Sequence, residues 1–235
     1  MIKSFSIAID GPAGSGKSSI SKKIASKYSF EYLDSGAFYR TITWYIFQKS
    51  LNENVEFDIL KNDIDYNRIK FDIIDGKLFI NGVYPGENIR TPQISALTSK
   101  ASADEKVRDF VTENIRDISR EKFVIMDGRD IGTVVLPQAD IKIYLTASSR
   151  VRAIRRFNEW NKNGIQLDID KVEKEIIERD EQDSSRKVAP LKPAPDSITV
   201  DTTDMSFQEV IDRVGKIVEE KLNSLNLKSK GEIYT

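Results

Sequence analysis

The clearest chemistry in the sequence lies near the amino end, in the pattern Gly11-x-x-x-x-Gly16-Lys17-Ser18. A short β-prone run, Ser4–Asp10, precedes this pattern, and a run with apolar residues at helical spacing, Ser19–Tyr28, follows it. Glycines let such a loop turn its backbone N–H groups inward, toward anionic oxygens at the positive end of the helix. In this pattern the lysine reaches the β- and γ-phosphates and the hydroxyl binds Mg²⁺. The segment Gly11–Ser19 therefore predicts a phosphate-binding loop; the alternative is a glycine-rich turn that fits by chance.

A second polar cluster, Asp127-Gly-Arg-Asp130, follows the continuous apolar run Lys122–Asp127. An uninterrupted apolar run of this length is typical of a buried strand in a parallel sheet. Ligands of open parallel sheets bind at the carboxyl ends of the strands. Asp127 stands where an acid orients the Mg²⁺ shell of a bound nucleotide. We therefore interpret the cluster as part of a functional site; the alternative is a solvated surface turn.

A third cluster begins at the end of a short predicted strand, Glu31–Asp34, and runs into a helix that extends to about Ser50. Either Asp34 or Ser35 fits the capping position of this helix. Tyr39 and Arg40 then lie in its first turns, close to the carboxyl end of the strand. From position alone, two interpretations of Arg40 are equally favoured: it contacts a ligand, or it is a solvated arginine on the surface of the helix.

Arginines are concentrated on two predicted helices between residues 150 and 190, the second of which covers Asp168–Asp183. The first helix repeats arginine at i, i+3 and i+4, so those side chains share one face. Arginine binds phosphate through two parallel hydrogen bonds and keeps its charge, which is typical of a lid over phosphates. The alternative is a pair of surface helices with ion pairs, because acidic residues are interleaved. The arginines concerned are Arg152, Arg155, Arg156, Arg179 and Arg186.

Composition narrows the chemistry further. The 235 residues contain no cysteine and no histidine, which excludes thiolate metal sites, thiol nucleophiles and the commonest general base. Lys and Arg number 36 against 37 Asp and Glu, so a net charge of -1 gives no overall attraction to nucleic acid or anionic membranes. No stretch approaches the roughly 20 apolar residues that span a bilayer, and no signal peptide precedes the first strand. We therefore expect a cytoplasmic protein.

Five predicted strands alternate with helices, which predicts an α/β fold with a parallel five-stranded sheet and helices on both faces. Asp75-Gly76 and Asn81-Gly82 interrupt this rhythm and predict an inserted antiparallel module of three strands. Ser206 and Glu209 form a capping-box pattern before the most amphipathic helix. We predict a core in 1–54, 91–147 and 191–227, the inserted module in 55–90, a helical lid region in 148–190 and a polar tail in 228–235.

Taken together, these segments resemble the bacterial-type cytidylate kinases, a family of nucleoside monophosphate kinases with a phosphate-binding loop. The resemblance covers nearly the whole chain, and the inserted module agrees with an insert in the monophosphate-binding region of that family. The segments that carry it are Ile9–Ser18, Leu33–Arg40, Ile89–Pro92, Asp127–Val135, Ile143–Ser148, Glu178–Asp180 and Arg186–Leu191.

The resemblance implies transfer of a phosphoryl group from MgATP to CMP or dCMP. It implies ATP binding by Gly11, Pro12, Ala13, Gly14, Ser15, Gly16, Lys17, Ser18 and Ser19, and Mg²⁺ at Ser18 and Asp127. It implies a monophosphate site lined by Ser35, Tyr39 and Arg40, cytosine recognition by Ser99, Arg108 and Asp130, acceptor-phosphate contacts from Arg129 and Arg186, and sugar contacts from Arg179 and Asp183. It implies contacts from Arg152, Arg155 and Arg156 to the transferring group.

Three other functions stay open at this point. The first alternative is a kinase for another acceptor, such as UMP, AMP or a small hydroxylated metabolite. The second alternative is a nucleotide-driven switch. Guanine-specific switches carry Asn-Lys-x-Asp after a later strand, and Thr146–Ser149 does not match it. The third is a nucleic-acid binder that uses the arginines between residues 150 and 190, which the interleaved carboxylates oppose. We expect a monomer with small-molecule substrates, ATP and CMP or dCMP.

Overall fold

The computed structural model describes residues 4–162 and 168–227, so the predicted polar tail in 228–235 lies outside the described residues. Its elements follow in the order β1 (Phe5–Asp10), α1 (Lys17–Tyr28), β2 (Glu31–Asp34), α2 (Ser35–Glu53), α3 (Phe57–Asp63), β3 (Phe71–Ile74), β4 (Lys77–Ile80), α4 (Pro92–Ala101), α5 (Glu105–Ser119), β5 (Phe123–Gly128), β6 (Ile141–Thr146), α6 (Ser149–Lys162), α7 (Ile169–Ser184), β7 (Ile198–Asp201) and α8 (Phe207–Ser224). No helix in these ranges is long and apolar enough to cross a membrane.

The chain divides into two compact units. Of the described residues, 4–33 and 119–227 form the first unit and Asp34–Ile118 forms the second. The finer division predicted from the sequence stays a prediction.

The first unit is built on a five-stranded sheet with the order β2-β5-β1-β6-β7. β1 pairs in parallel with β5 and with β6, and β6 pairs in parallel with β7. This confirms the predicted α/β fold with a parallel five-stranded sheet. The central strand β1 has Phe5, Ile7 and Ile9 fully buried, as expected for a strand with neighbours on both sides.

α1 and α8 pack together and, with the strands, enclose the main hydrophobic core of the first unit. The predicted capping box starts α8: the Ser206 Oγ accepts a hydrogen bond from the Glu209 N–H, and the Glu209 carboxylate accepts one from the Ser206 N–H. Together these bonds satisfy two of the N–H groups that a helix leaves unpaired at its start. α6 and α7 form a separate small cluster around Ala153, Val172 and Ile176.

The second unit contains the inserted module, and here the sequence prediction was wrong in one detail. β3 and β4 form a two-stranded antiparallel hairpin around Asp75-Gly76, whereas a third strand was expected after Asn81-Gly82. The chain does turn back there, but it makes only one isolated bridge, between Ile80 and Val83. Pro85 follows two residues later and has no N–H with which to extend a ladder.

An aromatic cluster holds the second unit together. The Phe71 ring lies 5.2 Å from the Phe38 ring and 5.3 Å from the Phe110 ring, which in turn lies 5.2 Å from Tyr66. These contacts join α2, the hairpin and α5. The short helix α3, which the sequence analysis did not predict, is connected to this body by the Lys61–Asp104 ion pair at 2.9 Å.

Candidate functional site

The predicted phosphate loop, Gly11–Ser19, connects the central strand β1 to α1. Gly11 has φ 151°, and a Cβ added there would lie 2.0 Å from the Leu145 carbonyl oxygen, so only glycine fits between the loop and β6. α1 begins at Lys17, and the unpaired N–H groups of its first turn belong to the loop. Gly11 to Gly16 thus form the tight turn between strand and helix that an anion-binding loop requires.

Lys17 is buried inside its own loop, where its Nζ donates to the Pro12 carbonyl at 2.7 Å and to the Ser15 Oγ at 3.3 Å. Burial lowers the pKa of Lys17 well below its ordinary value, and the Arg129 charge lowers it further. Asp127 and Asp10 oppose this shift. The side chain is therefore fixed at the loop by neutral oxygens and has two carboxylates nearby.

Asp127 lies at the carboxyl end of β5 and accepts two side-chain hydrogen bonds. Its Oδ2 accepts from the Ser18 Oγ at 2.8 Å, and its Oδ1 accepts from the Tyr32 hydroxyl at 2.6 Å. The two residues predicted to hold Mg²⁺ are therefore in direct contact. A carboxylate and a hydroxyl are the hard oxygen ligands that Mg²⁺ prefers, so this pair fits the ion.

Asp10 shapes the segment that follows β5. Its carboxylate is buried and accepts from the Ile131 N–H at 2.8 Å and from the Gly132 N–H at 2.7 Å. These two residues begin a single π-helical turn, Ile131–Val135, an arrangement found frequently at functional sites. The turn starts directly after Asp130, which is buried and was predicted to contact the base.

Burial raises the pKa of Asp10 from 3.8 to about 6, against the effect of its two backbone hydrogen bonds. The Asp10 carboxyl group therefore binds its proton more tightly in the folded protein than in the unfolded chain. The stability of the wild type relative to Asp10→Asn should then fall by about 2 kcal/mol as the pH rises from about 4 to about 7. Urea unfolding of both proteins across this range measures the difference. An equal offset at every pH would contradict the shift.

Asp183, near the end of α7, joins two of the predicted arginines. Its Oδ2 accepts from the Arg129 Nε at 2.8 Å, and its Oδ1 pairs with the Arg186 Nη2 at 2.5 Å. Asp183 is 3% exposed, and its backbone oxygen accepts from the Leu191 N–H at 2.9 Å. One buried carboxylate therefore fixes the position of two guanidinium groups that are themselves partly accessible.

The three arginines of α6 differ in their surroundings. Arg152 is buried and contacts the loop at Ala13. Arg155 donates to the Thr202 Oγ1 at 2.9 Å and to the Thr202 carbonyl at 2.8 Å, and its Nη1 lies 3.5 Å from the Ser15 carbonyl. Burial lowers the pKa of Arg156, and Glu175 and Glu159 oppose that shift.

Arg179 is exposed on α7, and its charge is among those that lower the pKa of Lys17. Ser19 is exposed in the first turn of α1.

In the second unit, Asp34 is the residue that caps α2, since its carboxylate accepts from the Ala37 N–H at 3.1 Å. The same carboxylate pairs with Arg40 Nη2 at 2.8 Å. The Arg40 Nε is buried, and the described residues offer it no hydrogen-bond partner. A buried charged donor of this kind fits an anionic ligand.

The remaining predicted residues of the second unit lie on α2, α4 and α5. Ser35 and Tyr39 are buried on α2, and the Arg108 guanidinium lies 5.5 Å from the centre of the Tyr39 ring. Arg108 is buried on α5 and donates to the Ser102 carbonyl at 3.0 Å. Ser99 is exposed on α4, and its carbonyl accepts from the Ser102 Oγ.

A sequence profile described as cytidylate kinase matches residues 7–220. The chain belongs to the cytidylate kinase family. A relative named cytidylate kinase from Thermotoga maritima is 44% identical over 220 residues, which cover 94% of this chain and 99% of the relative. Another from Fusobacterium nucleatum is 44% identical over 215 residues, covering 91% of this chain and 97% of the relative. The resemblance predicted from the motifs is therefore confirmed.

A solved structure of an uncharacterized protein from Eubacterium ventriosum has a TM-score of 0.51 and 11% identity, covering 92% of this chain and 98% of that one. At this identity the likeness concerns the fold alone.

Three residues contact the family's predicted site residues but were missed by the sequence analysis. Tyr32 bonds to Asp127, Asp180 bonds to Ala13 and Thr202 bonds to Arg155. Asp10, which orders the turn after Asp130, was also missed, although an acid at the carboxyl end of a buried strand is a signal that could have identified it. Tyr32 and Thr202 carry no comparable signal, because Tyr32 is an ordinary residue of a β-prone run and Thr202 directly follows another such run.

Proposed function

We propose that this chain is a cytidylate kinase that transfers the γ-phosphoryl group of MgATP to CMP or dCMP, giving ADP and CDP or dCDP. The observation that carries the proposal is the match to the cytidylate kinase family over residues 7–220, in a chain whose Lys17 is buried at the phosphate loop. The monomeric state and the cytoplasmic location expected from the sequence are part of the same proposal.

The residues that we assign to the phosphoryl donor, ATP, all lie in the first unit. The loop Gly11–Ser19 would bind the ATP phosphates through its backbone N–H groups and Lys17. Ser18 and Asp127 would hold Mg²⁺, and their 2.8 Å contact supports this pairing of ligands. When bound, Mg²⁺ neutralises charge on the β- and γ-phosphates.

For the acceptor, one assignment is supported by the surroundings of its own residue. The buried Arg40 Nε has no hydrogen-bond partner among the described residues, which supports a phosphate contact at Arg40. Ser35 and Tyr39, on the same helix, would line this monophosphate site. The remaining assignments follow from family membership: Ser99, Arg108 and Asp130 for cytosine, Arg129 and Arg186 for the acceptor phosphate, and Arg179 and Asp183 for the sugar.

The chemistry we propose is direct in-line transfer without a covalent intermediate. The acceptor phosphate is anionic at neutral pH and needs no strong base, which agrees with a chain that has no His and no Cys. Lys17, Arg155 and Arg156 would neutralise the charge that spreads over the equatorial oxygens as the phosphoryl group moves. Arg152 belongs to the same predicted group, although it lies at the loop backbone. Closure of the α6–α7 lid region would exclude water and so limit ATP hydrolysis.

Tyr32 is expected to orient the Asp127 carboxylate toward Mg²⁺. Tyr32→Phe removes one hydrogen bond at 2.6 Å and leaves the ring in place, so the carboxylate gains freedom to rotate. We expect the affinity for Mn²⁺ in the presence of ADP, measured by electron paramagnetic resonance, to fall about 10-fold, the lower end for loss of a residue that orients a metal ligand. Tyr45→Phe, in the second unit, is the matched control and should not change it. Unchanged Mn²⁺ affinity in Tyr32→Phe would contradict this role.

A coupled assay of ADP release with a panel of acceptors tests the function. We expect MgATP-dependent turnover with CMP and dCMP that exceeds turnover with UMP and AMP by about 10²-fold or more, because a site that pairs with base edges rejects bases that leave its polar groups unpaired. Phosphorylation of UMP or AMP in preference to CMP would identify a different kinase. Slow ATP hydrolysis with no phosphorylated acceptor would favour a nucleotide-driven switch.

A further inference from the structure

Ala13, in the middle of the phosphate loop, has both of its backbone polar groups bonded to side chains from distant helices. Its N–H donates to the Asp180 Oδ1 of α7 at 3.0 Å. Its carbonyl accepts from the Arg152 Nη1 of α6 at 2.9 Å. The same Arg152 Nη1 also pairs with the Asp180 Oδ2. Ala13 of the loop, Arg152 of α6 and Asp180 of α7 therefore each bond to the other two.

The surroundings of Arg152 make this arrangement rigid. The Arg152 and Asp180 side chains are 8% and 18% exposed, and the Arg152 Nε donates to the Ala147 carbonyl at 2.9 Å. Buried charges are tolerated when their hydrogen bonds are satisfied, and here the loop backbone satisfies them. The loop also packs closely against Arg152 at Gly14, since a Cβ added at Gly14 would lie 3.2 Å from the Arg152 Cβ and 3.2 Å from the Arg152 carbonyl oxygen.

We propose that Arg152 and Asp180 form a clamp that holds the phosphate loop at Ala13 in its anion-binding shape and joins it to α6 and α7. Both are positioning residues: they act on the donor phosphates through the loop backbone. The proposal rests on the proposed function, because it assigns the loop to the donor nucleotide. In this arrangement Arg152 serves the loop, and Arg155 and Arg156 remain as the α6 arginines for the transferring group.

The physical reason is preorganisation. A loop of glycines and small residues has many accessible conformations, and ordering it on ligand binding costs free energy. Bonds to both sides of Ala13 restrict the loop before the nucleotide arrives, so less of the loop has to be ordered on binding.

The test is the affinity for ATP of Asp180→Asn, measured by isothermal titration calorimetry with Mg²⁺ and no acceptor. The asparagine amide has one oxygen in place of two, so either the Ala13 N–H or Arg152 loses its acceptor. The loss of one buried, charge-assisted bond predicts a Kd for ATP that rises about 10- to 100-fold. The Kd for CMP, titrated alone, should change less than about twofold, because the bonds of the clamp hold the donor loop at Ala13 and neither Asp180 nor Ala13 is assigned to CMP.

Arg150→Gln is the matched control. The Arg150 Nη1 pairs with Asp170 at 2.6 Å and with Glu173 at 3.0 Å, so it also joins α6 to α7. It is half-exposed, and these bonds lie on α7 rather than at the loop. The clamp predicts an unchanged Kd for ATP in this variant. An equal loss in Arg150→Gln and Asp180→Asn would mean that only helix packing matters and would overturn the clamp.

A second variant covers the case in which Asp180→Asn does not fold. Arg152→Lys keeps the buried positive charge but lacks the planar fork that bonds Ala147, Ala13 and Asp180 together, so the same direction of change is expected. Wild-type affinity for ATP in a folded variant of either residue overturns the clamp. Wild-type protein that binds no ATP at all contradicts the proposed function instead, so the two failures are distinguishable.

Discussion

Lys17→Ala should lower kcat by about 10³-fold, the lower range for loss of one preorganised charged group at a transferring phosphoryl. Lys17 Nζ is held at the loop by the Pro12 carbonyl and the Ser15 Oγ, so it is close to where the β- and γ-phosphates would bind. No other described lysine is buried in this loop. Alanine removes the charge, and no neighbouring lysine of the loop can replace it. Steady-state kinetics with saturating MgATP and CMP measure the effect.

The fold should survive this substitution. The Lys17 amine bonds to the loop itself, and burial already opposes its charge, so its removal costs little stability. Thermal unfolding of the variant should therefore stay close to that of the wild type. Lys23→Ala is the matched control, since Lys23 is exposed on the same helix and should have normal kinetics. Near-normal kcat in Lys17→Ala would remove the phosphate-binding role from this lysine.

The meeting of two predicted site segments at one edge of the sheet was predictable because their signals are local. The phosphate loop and the Asp127 cluster each follow an apolar run, and parallel strands bring their carboxyl ends to one side. The structure bears this out for the first unit, where Ser18 and Asp127 are 2.8 Å apart although 109 residues separate them in sequence. The sequence predicted that both segments lie at this edge, but it did not predict their direct hydrogen bond.

The clamp and the roles of individual arginines were not predictable in this way. Ala13 and Asp180 are separated by 167 residues, and an acidic residue in a charged helix gives no sign that it bonds to a loop backbone. The helical spacing of Arg152, Arg155 and Arg156 correctly indicates one region of α6. It does not separate the arginine that is buried at the loop from those that are partly accessible, because burial depends on the elements that pack against the helix.

The prediction of a third strand in the inserted module was wrong for a different reason. Asn81-Gly82 correctly marked a turn, with φ 47° and 75° at the two positions. A turn signal gives the reversal of the chain but not the length of the pairing after it. Here the pairing ends at the Ile80–Val83 bridge because the next residues approach Pro85. Strand length is set by the residues beyond the turn, and a count of turn signals overestimates it.

Asp183→Ala is expected to have the second large effect, about 10²- to 10³-fold on kcat/KM for CMP. The substitution removes the one carboxylate that pairs with both Arg129 and Arg186, leaving two like charges close together with no shared counter-charge. The guanidinium groups are 21% and 16% exposed, so they can separate into solvent and lose their common position. Steady-state kinetics with varied CMP at saturating MgATP measure this loss.

The two substrates should respond differently. If Arg129 and Arg186 contact the acceptor phosphate, KM for CMP rises and kcat falls, while the Kd for ATP alone changes little. Asp183→Asn keeps one acceptor oxygen and the same shape, so we expect an intermediate loss. Glu181→Ala, exposed on the same helix, is the control for a lost negative charge and should behave as wild type.

Stability separates this role from a purely structural one. Breaking a buried ion pair costs about 3–5 kcal/mol, and the partial exposure of both arginines reduces that figure, so Asp183→Ala should unfold at a lower temperature but remain folded at about 25 °C. Kinetics are then compared below the unfolding transition. If the loss in kcat/KM for CMP disappears there, or if the Kd for ATP rises as much as KM for CMP, Asp183 supports the fold and neither positions the arginines for the acceptor nor contacts the sugar.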